Sequence, residues 1–309
     1  MQAEAAAAPA RELSRPGWRW EWALLLLLLG AAFFPVLRWM YERWMAADSY
    51  TSHGLLVPPI CAWLVYQQRD ALAREERRPA RLGLLLLGAG LLIFAAGGLL
   101  RVYFTSGFAL LLCLAGMLAY WGGWHWLRRL WFPLVFLVFM LPLPEIAVAR
   151  LQLLLKLYVA KAAVLGVELA GIPVVLEGAR LRLQNGDLVV GDVCAGLRSM
   201  AALIALGVLF AWLYGGRSKF VRGALLAAIL PAALAANVLR IFLNVLFVNF
   251  YGTEPLFRPL FSSSFSGPVD LHLLSGVIVF IFAIAALYGT QRGAEALAPR
   301  APETQGGQA

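Results

Sequence analysis

Apolar residues fall along this chain in long blocks separated by short polar or basic connections. The blocks cover residues 20–36, 54–67, 82–100, 103–120, 130–141, 197–214, 223–250 and 272–288. A backbone in lipid must satisfy its own hydrogen bonds, so runs of this kind become helices. They predict about eight transmembrane spans. The second is short for a span and carries Pro58 and Pro59, which predicts a kinked helix or one partly extended beyond its apolar core. Pro142 and Pro144 stop the fifth.

The pattern changes between the fifth and sixth blocks. Residues 146–172 mix apolar positions with Arg150, Lys156, Lys161 and Glu168. Gln152 and Tyr158 fit the same amphipathic helix, lying in the membrane interface; a re-entrant helix pair is the competing reading. Short alternating runs then follow at 174–176, 180–183 and 187–190. Asn185-Gly186 between the last two is a strong hairpin signal. A small extracytoplasmic β-hairpin is therefore expected, leading directly to Cys194. The expected fold is an all-α polytopic membrane protein with about eight transmembrane helices, an amphipathic interfacial helix and that hairpin. Its organisation is a cytoplasmic N-terminal tail (1–19), one transmembrane domain (20–290, with the interfacial helix and hairpin at about 145–193) and a disordered cytoplasmic tail (291–309). No small-residue cleavage site clearly follows the first block, which reads as a retained anchor.

Composition supports lipid as the solvent. Of the 309 residues 61% are hydrophobic and only 14% charged, where a soluble domain has about a quarter charged. Mean hydropathy is +0.76. The net charge of +9 does not imply nucleic acid, because the basic residues sit between apolar blocks and not on one stripe. They set an orientation instead. Arg11, Arg15 and Arg19 precede the first block, and Arg69, Arg74, Arg77, Arg78 and Arg81 follow the second. Arg128 and Arg129 follow the fourth, Arg217, Lys219 and Arg222 the sixth, and Arg292 the eighth. The positive-inside rule assigns these connections and both termini to the cytoplasm. The alternate connections face outward.

Ionisable residues at membrane depth are costly and need a reason. Arg240 lies deep in the seventh block, about 25 Å along a helix from Gly223, with Asn237 one turn earlier on nearly the same face. A structural Arg that snorkels, or pairs with Asp192 or Asp270, is the plain alternative. Cys194 stands where the sixth span begins, a position at which a helix N-terminus favours thiolate; Arg198 one turn on adds positive potential. Of the three cysteines, Cys61 and Cys113 fall inside apolar blocks, as small buried hydrophobes do. His272 opens the eighth span, and His is the usual base at neutral pH. His53 also faces outward and is a rival base, whereas His125 is cytoplasmic and cannot meet Cys194. Cys194, Arg240 and His272 come from different spans, yet the topology delivers all three to one side. Activated nucleophile, oxyanion stabiliser and acid/base together describe an acyl transferase or protease.

At these residues the sequence resembles the exosortase/archaeosortase family. The resemblance runs from about 48 to 282. It rests on Ser52-His53-Gly54-Leu55 with Pro58, on Cys194-Ala-Gly-Leu-Arg-Ser199, on Asn237-Val-Leu-Arg240-Ile, and on His272 with Gly276. It implies a multi-pass transpeptidase, analogous to sortases by convergence, with Cys194 as nucleophile, Arg240 as transition-state stabiliser and His272 as general acid/base. His53, Arg198 and Asn237 would line the substrate site. The implied partners are membrane lipid, a surface acceptor of unknown kind, and exported proteins bearing a C-terminal sorting tail: a Pro-Glu-Pro-like motif, a transmembrane helix and a basic cluster. The family's link to exopolysaccharide production in Gram-negative bacteria implies the inner membrane, with the site at its periplasmic face. No metal or organic cofactor is required. Two other functions compete. A non-enzymatic component or transporter of polysaccharide export explains Arg240 but not its convergence with Cys194 and His272. A membrane glycosyltransferase needs clustered carboxylates, and Asp187, Asp192 and Asp270 form no tight group in the sequence.

Overall fold

A computed structural model describes residues 20–46, 49–75, 78–190, 197–216, 218–257, 261–263, 267–269 and 271–298. The chain divides into two compact units, one formed by residues 1–42 and 56–141, the other by 43–55 and 142–309.

The first unit contains α1 (Trp20–Ala32), α2 (Phe34–Met45, whose last three residues belong to the second unit), α3 (Val57–Gln67), α4 (Arg69–Arg74), α5 (Leu82–Leu99), α6 (Tyr103–Arg129) and α7 (Trp131–Phe136). The first apolar block is bent by 69° between α1 and α2. The most extensive packing is α5 against α6, and the sequence of α5 explains it. Gly83, Gly90 and Gly97 recur every seven residues and are buried. Leu85, Leu92 and Leu99 lie two residues further on, about 200° around the helix, and are 67%, 73% and 86% exposed. One face lets the partner backbone approach; the other presents leucine to lipid. From the α6 side, a Cβ on Gly116 would stand 2.5 Å from the backbone nitrogen of Leu87. Gly123 (φ +78°) breaks α6, a backbone conformation glycine adopts without strain. The Cys61 thiol donates to the Pro133 carbonyl (3.2 Å), tying α3 to α7.

The second unit contains α8 (Glu145–Leu169), β1 (Val175–Glu177), β2 (Arg180–Leu183), β3 (Gly186–Val189), α9 (Leu197–Tyr214), α10 (Lys219–Tyr251), α11 (Glu254–Phe257), β4 (Phe261–Ser263), β5 (Gly267–Val269) and α12 (Leu271–Leu297). Strands β1, β2 and β3 form an antiparallel sheet in that order, with Leu181 opposite Leu188. Alternation sends Leu181, Leu188 and Val190 inward against Val159, Ala163 and Val167 of α8 and Ile241, Val245 and Val248 of α10. On the other face Arg182 pairs with Glu177 at 3.0 Å. The Asn185 amide donates to the Asn249 carbonyl and the Thr253 hydroxyl to that of Asp187 (3.1 Å), fixing the turn to the end of α10. Helices α9, α10 and α12 pack through Met200, Leu203, Ala233, Ala236, Val279 and Ala283. The Ser218 side chain caps α10 by accepting from the Val221 N–H.

Several sequence expectations change. Five helices are long and apolar enough to span a membrane, or up to seven if each bent pair is one span; a count of eight is not confirmed. The reason lies in the second and fifth blocks. Helix α3 has 11 residues, about 16 Å of rise against a core of about 30 Å. The fifth block is a single α-helical turn and a half followed by a 3-10 turn at Leu137–Met140. Helix α8 buries Val148, Val159, Ala160, Ala163 and Val167, so it is a packed element with one face in the unit's core. The expected hairpin is a three-stranded sheet, and the β4–β5 ribbon was not signalled by the pattern. Helices α6, α10 and α12 extend beyond their apolar blocks, α12 as far as Leu297.

Candidate active site

Arg240 and Asn237 occupy one face of α10, as their spacing of three requires. Asn237 is buried and Arg240 half-buried. That face meets α12 at Gly276: a Cβ placed there would lie 3.6 Å from Nη2 and 3.8 Å from Cζ of Arg240. The guanidinium therefore rests over a residue that has no side chain. Ser199 and Leu203 of α9, Ala236, Asn237 and Arg240 of α10, and Gly276, Val279 and Phe280 of α12 line a small cavity of about 10 Å³. That is close to the space one water molecule needs. The Oδ1 atom of Asn237, 4% exposed as a residue, has no hydrogen-bond partner among the described residues. A buried polar atom in this condition is costly and marks where a water or ligand atom is wanted.

The other expected residues are placed as follows. Cys194 falls within 191–196, outside the described residues; it lies five positions before Ser199. His272 is in the first turn of α12, its side chain outside the described residues. Its position is four before Gly276, on the same helix face and one turn nearer the N-terminus. Arg198, expected to contribute positive potential at the site, donates its Nε–H to the Ser49 carbonyl at 2.6 Å. His53, half-buried on the 3-10 turn Ser52–Leu55, belongs to the same unit. The preceding residues are fastened there. Ser49 and Thr51 are buried, the Thr51 N–H donates to the Ser49 hydroxyl at 3.1 Å, and the Tyr50 hydroxyl donates to the Leu143 carbonyl at 2.9 Å. Burial pushes the Tyr50 phenol above its usual range. Arg43 pairs with Glu145. Gly54 lies against the Trp44 indole so closely that a Cβ would collide with it.

The structure thus brings Ser199, Asn237, Arg240 and Gly276 together at one cavity and ties the His53 turn to the start of α9. Sequence reasoning identified the Asn237–Arg240 pair but gave Ser199 and Gly276 no site role. Their signal was periodicity: Gly276 with Phe280 and Ser199 with Leu203 are i, i+4 pairs. The role of Ser49 had no signal, because a backbone carbonyl is the partner.

A family model described as transmembrane exosortase (Exosortase_EpsH) matches residues 44–289. No curated protein and no solved structure matches the chain.

Proposed function

The chain belongs to the transmembrane exosortase family, which supports a membrane transpeptidase role in general, and from that premise we propose that it is a membrane-embedded cysteine peptidase and transpeptidase. It cleaves the C-terminal sorting tail of exported proteins, a Pro-Glu-Pro-like motif followed by a transmembrane helix, at the periplasmic face of the inner membrane. The observation that carries this reading is the cavity at which Arg240 lies over Gly276, one helical turn from His272 and beside Ser199, five residues after Cys194.

In this mechanism the Cys194 thiolate attacks the scissile carbonyl. The guanidinium of Arg240 stabilises the oxyanion and lies where α12 offers no side chain to displace it. Asn237, with an open acceptor, orients a water or a substrate N–H. His272, as imidazolium, protonates the leaving amine and becomes the neutral base for the second half-reaction. There it takes the proton of an incoming amine of a surface acceptor, or of water, as the thioester is resolved. The test is mass spectrometry of a fusion protein bearing such a tail, co-expressed with the chain. The expected result is a new C-terminus beside the tail helix, lost in Cys194→Ala while that variant remains inserted. Continued cleavage by Cys194→Ala would overturn the assignment.

A further inference from the structure

We propose that the first unit holds one anionic phospholipid, with an acyl chain in the cleft between α1, α5 and α6 and the headgroup at Arg81. This site is independent of the peptidase reading; it requires only that these helices lie in a membrane.

The cleft is built on a flank of α5 that lies between its glycine face and its exposed leucine face. Leu84, Leu87 and Leu91 line it from α5, Leu28 and Leu29 from α1, and Met117 from α6. It is mainly apolar and about 320 Å³ in volume, within the range of ligand clefts. Gly88 stands four residues after Leu84 and three before Leu91, so it shares that flank. The residue is half-buried, yet a Cβ on it would meet nothing within 4 Å. Over Gly83, Gly90 and Gly97 a Cβ would strike α6. Those glycines admit a neighbouring helix, whereas the space over Gly88 is left open.

The two ends of the cleft identify its occupant. At one end the rings of Phe33 and Phe94 meet, with centroids 4.1 Å apart, and Phe33 is fully buried. Phe94 is three residues beyond Leu91, so this contact closes the cleft. From Leu84 to Phe94 is about 15 Å of helical rise, half of a hydrocarbon core of about 30 Å. That is the depth of one leaflet. A spanning helix would have to pass the phenylalanine contact, whereas the acyl chain of one leaflet ends at it. At the other end Arg81 precedes Leu84 by one turn. The Ala80 N–H donates to the Ala119 carbonyl at 3.1 Å, which fixes this end beside Tyr120 and Trp121, both of which line the cleft. Such amphipathic rings favour headgroup level. Arg81 is exposed and makes no ion pair among the described residues. A cation there attracts an anionic headgroup and repels a basic cluster of the kind expected at the end of a sorting tail. Length and charge therefore both select lipid over a substrate helix.

Bound lipid can be weighed directly. The full chain, purified in mild detergent, is given an equimolar mixture of phosphatidylglycerol and phosphatidylethanolamine and examined by native mass spectrometry. One bound phosphatidylglycerol per chain is expected, favoured over phosphatidylethanolamine by about fivefold, the worth of one basic residue at a membrane surface. Gly88→Phe puts a ring where the acyl chain lies and should lower bound phosphatidylglycerol at least about tenfold, because a filled site tolerates no further methylenes. Leu92→Phe adds the same ring on the exposed face of the same helix and should change nothing. Arg81→Gln should keep a bound lipid and lose the headgroup preference. Should Gly88→Phe fail to fold, Leu28→Trp fills the cleft from α1 and should give the same loss. Equal retention of phosphatidylglycerol by wild type, the cleft variants and Leu92→Phe overturns the site, as does a wild-type chain that binds the two lipids equally or binds neither. A second arm tests the rival occupant. Gly88→Cys in a Cys194→Ala background carries a benzophenone maleimide, in membranes that contain the tailed fusion protein. Crosslinking to lipid alone supports the site; a crosslink to the tail helix assigns the cleft to substrate and overturns it.

Discussion

The two units bury different things. Among the described residues six polar side chains are buried: Ser49, Thr51, Ser106, Asn237, Asn244 and Ser275. Five of these lie in the second unit and one, Ser106, in the first. The first unit solves a packing problem, with backbones brought together over Gly83, Gly90, Gly97 and Gly116. Its least exposed described ion pair, Arg129 with Glu75 at 2.9 Å, lies at helix ends. The second unit places Asn237 and Arg240 in a helix interface and leaves a cavity beside them. Unfilled space does not separate the units, because α1, α5 and α6 of the first leave a mainly apolar cleft of about 320 Å³. The difference is in the buried polar side chains, which cost stability and which a fold optimised only for packing would remove. The first unit is arranged for close approach; the second carries the polar groups that the proposed chemistry needs.

Substitutions that separate activity from stability test this contrast. The largest effect is expected from Arg240→Met. It should reduce tail processing by about 10² to 10³-fold, as loss of an oxyanion donor does, while the detergent-solubilised protein unfolds near the wild-type temperature. Processing at more than a tenth of the wild-type rate would make Arg240 structural. The next is Gly116→Leu in the first unit. With the Leu87 backbone 2.5 Å from the new Cβ, α5 and α6 must separate, at about 1–3 kcal/mol or more. The protein that remains folded should turn over at the wild-type rate. A lowered rate per folded molecule would show that the first unit participates in the chemistry.

Legibility in the sequence followed the same division. Helices α5 and α9 lie almost where their apolar blocks end, because a uniform run flanked by charge has one solution in lipid. The Asn237–Arg240 face was readable from spacing and from the cost of an arginine at that depth. The short helix α3 was harder, since hydropathy reports preference for lipid and not whether a run is long enough to cross it. The three-stranded sheet was half visible: Asn185-Gly186 marked one turn, while the β1–β2 turn, Gly178 at φ +64°, sits in a weaker pattern. The Arg198–Ser49 bond had no trace in composition or period. Contacts from side chain to backbone across 149 residues depend on the fold alone.

Gly276 sharpens the contrast inside the second unit. A methyl at 3.6 Å from the guanidinium is an ordinary contact, so Gly276→Ala should keep processing within about threefold of wild type. Branching in Gly276→Val should fill the cavity and push the guanidinium aside, lowering processing about tenfold or more, since small misplacements of a catalytic group are costly. Filling a void can also offset the strain, so stability should change by less than about 1.5 kcal/mol. If Val is as active as Ala, the cavity is not part of the site.

The smallest effect belongs to the ion pair of the first unit. The Glu75 and Arg129 side chains remain 29% and 35% exposed, so solvent screens their attraction, and Glu75→Gln should cost no more than about 1 kcal/mol. Gln retains an oxygen that can accept from the Arg129 Nε–H, so the bond persists and only its charge assistance is lost. The gap between wild type and variant in a thermal melt should therefore be small at low salt. It should close further near 1 M salt, where the screening length falls to about 3 Å. Tail processing should not change, because this pair secures helix ends and touches no reacting group. A difference that persists at high salt would mean that the charge is held in a drier setting than its exposure indicates. A loss of processing at unchanged stability would weigh more, because it would give the first unit a charged residue with a functional role and remove the division between the two halves of the chain.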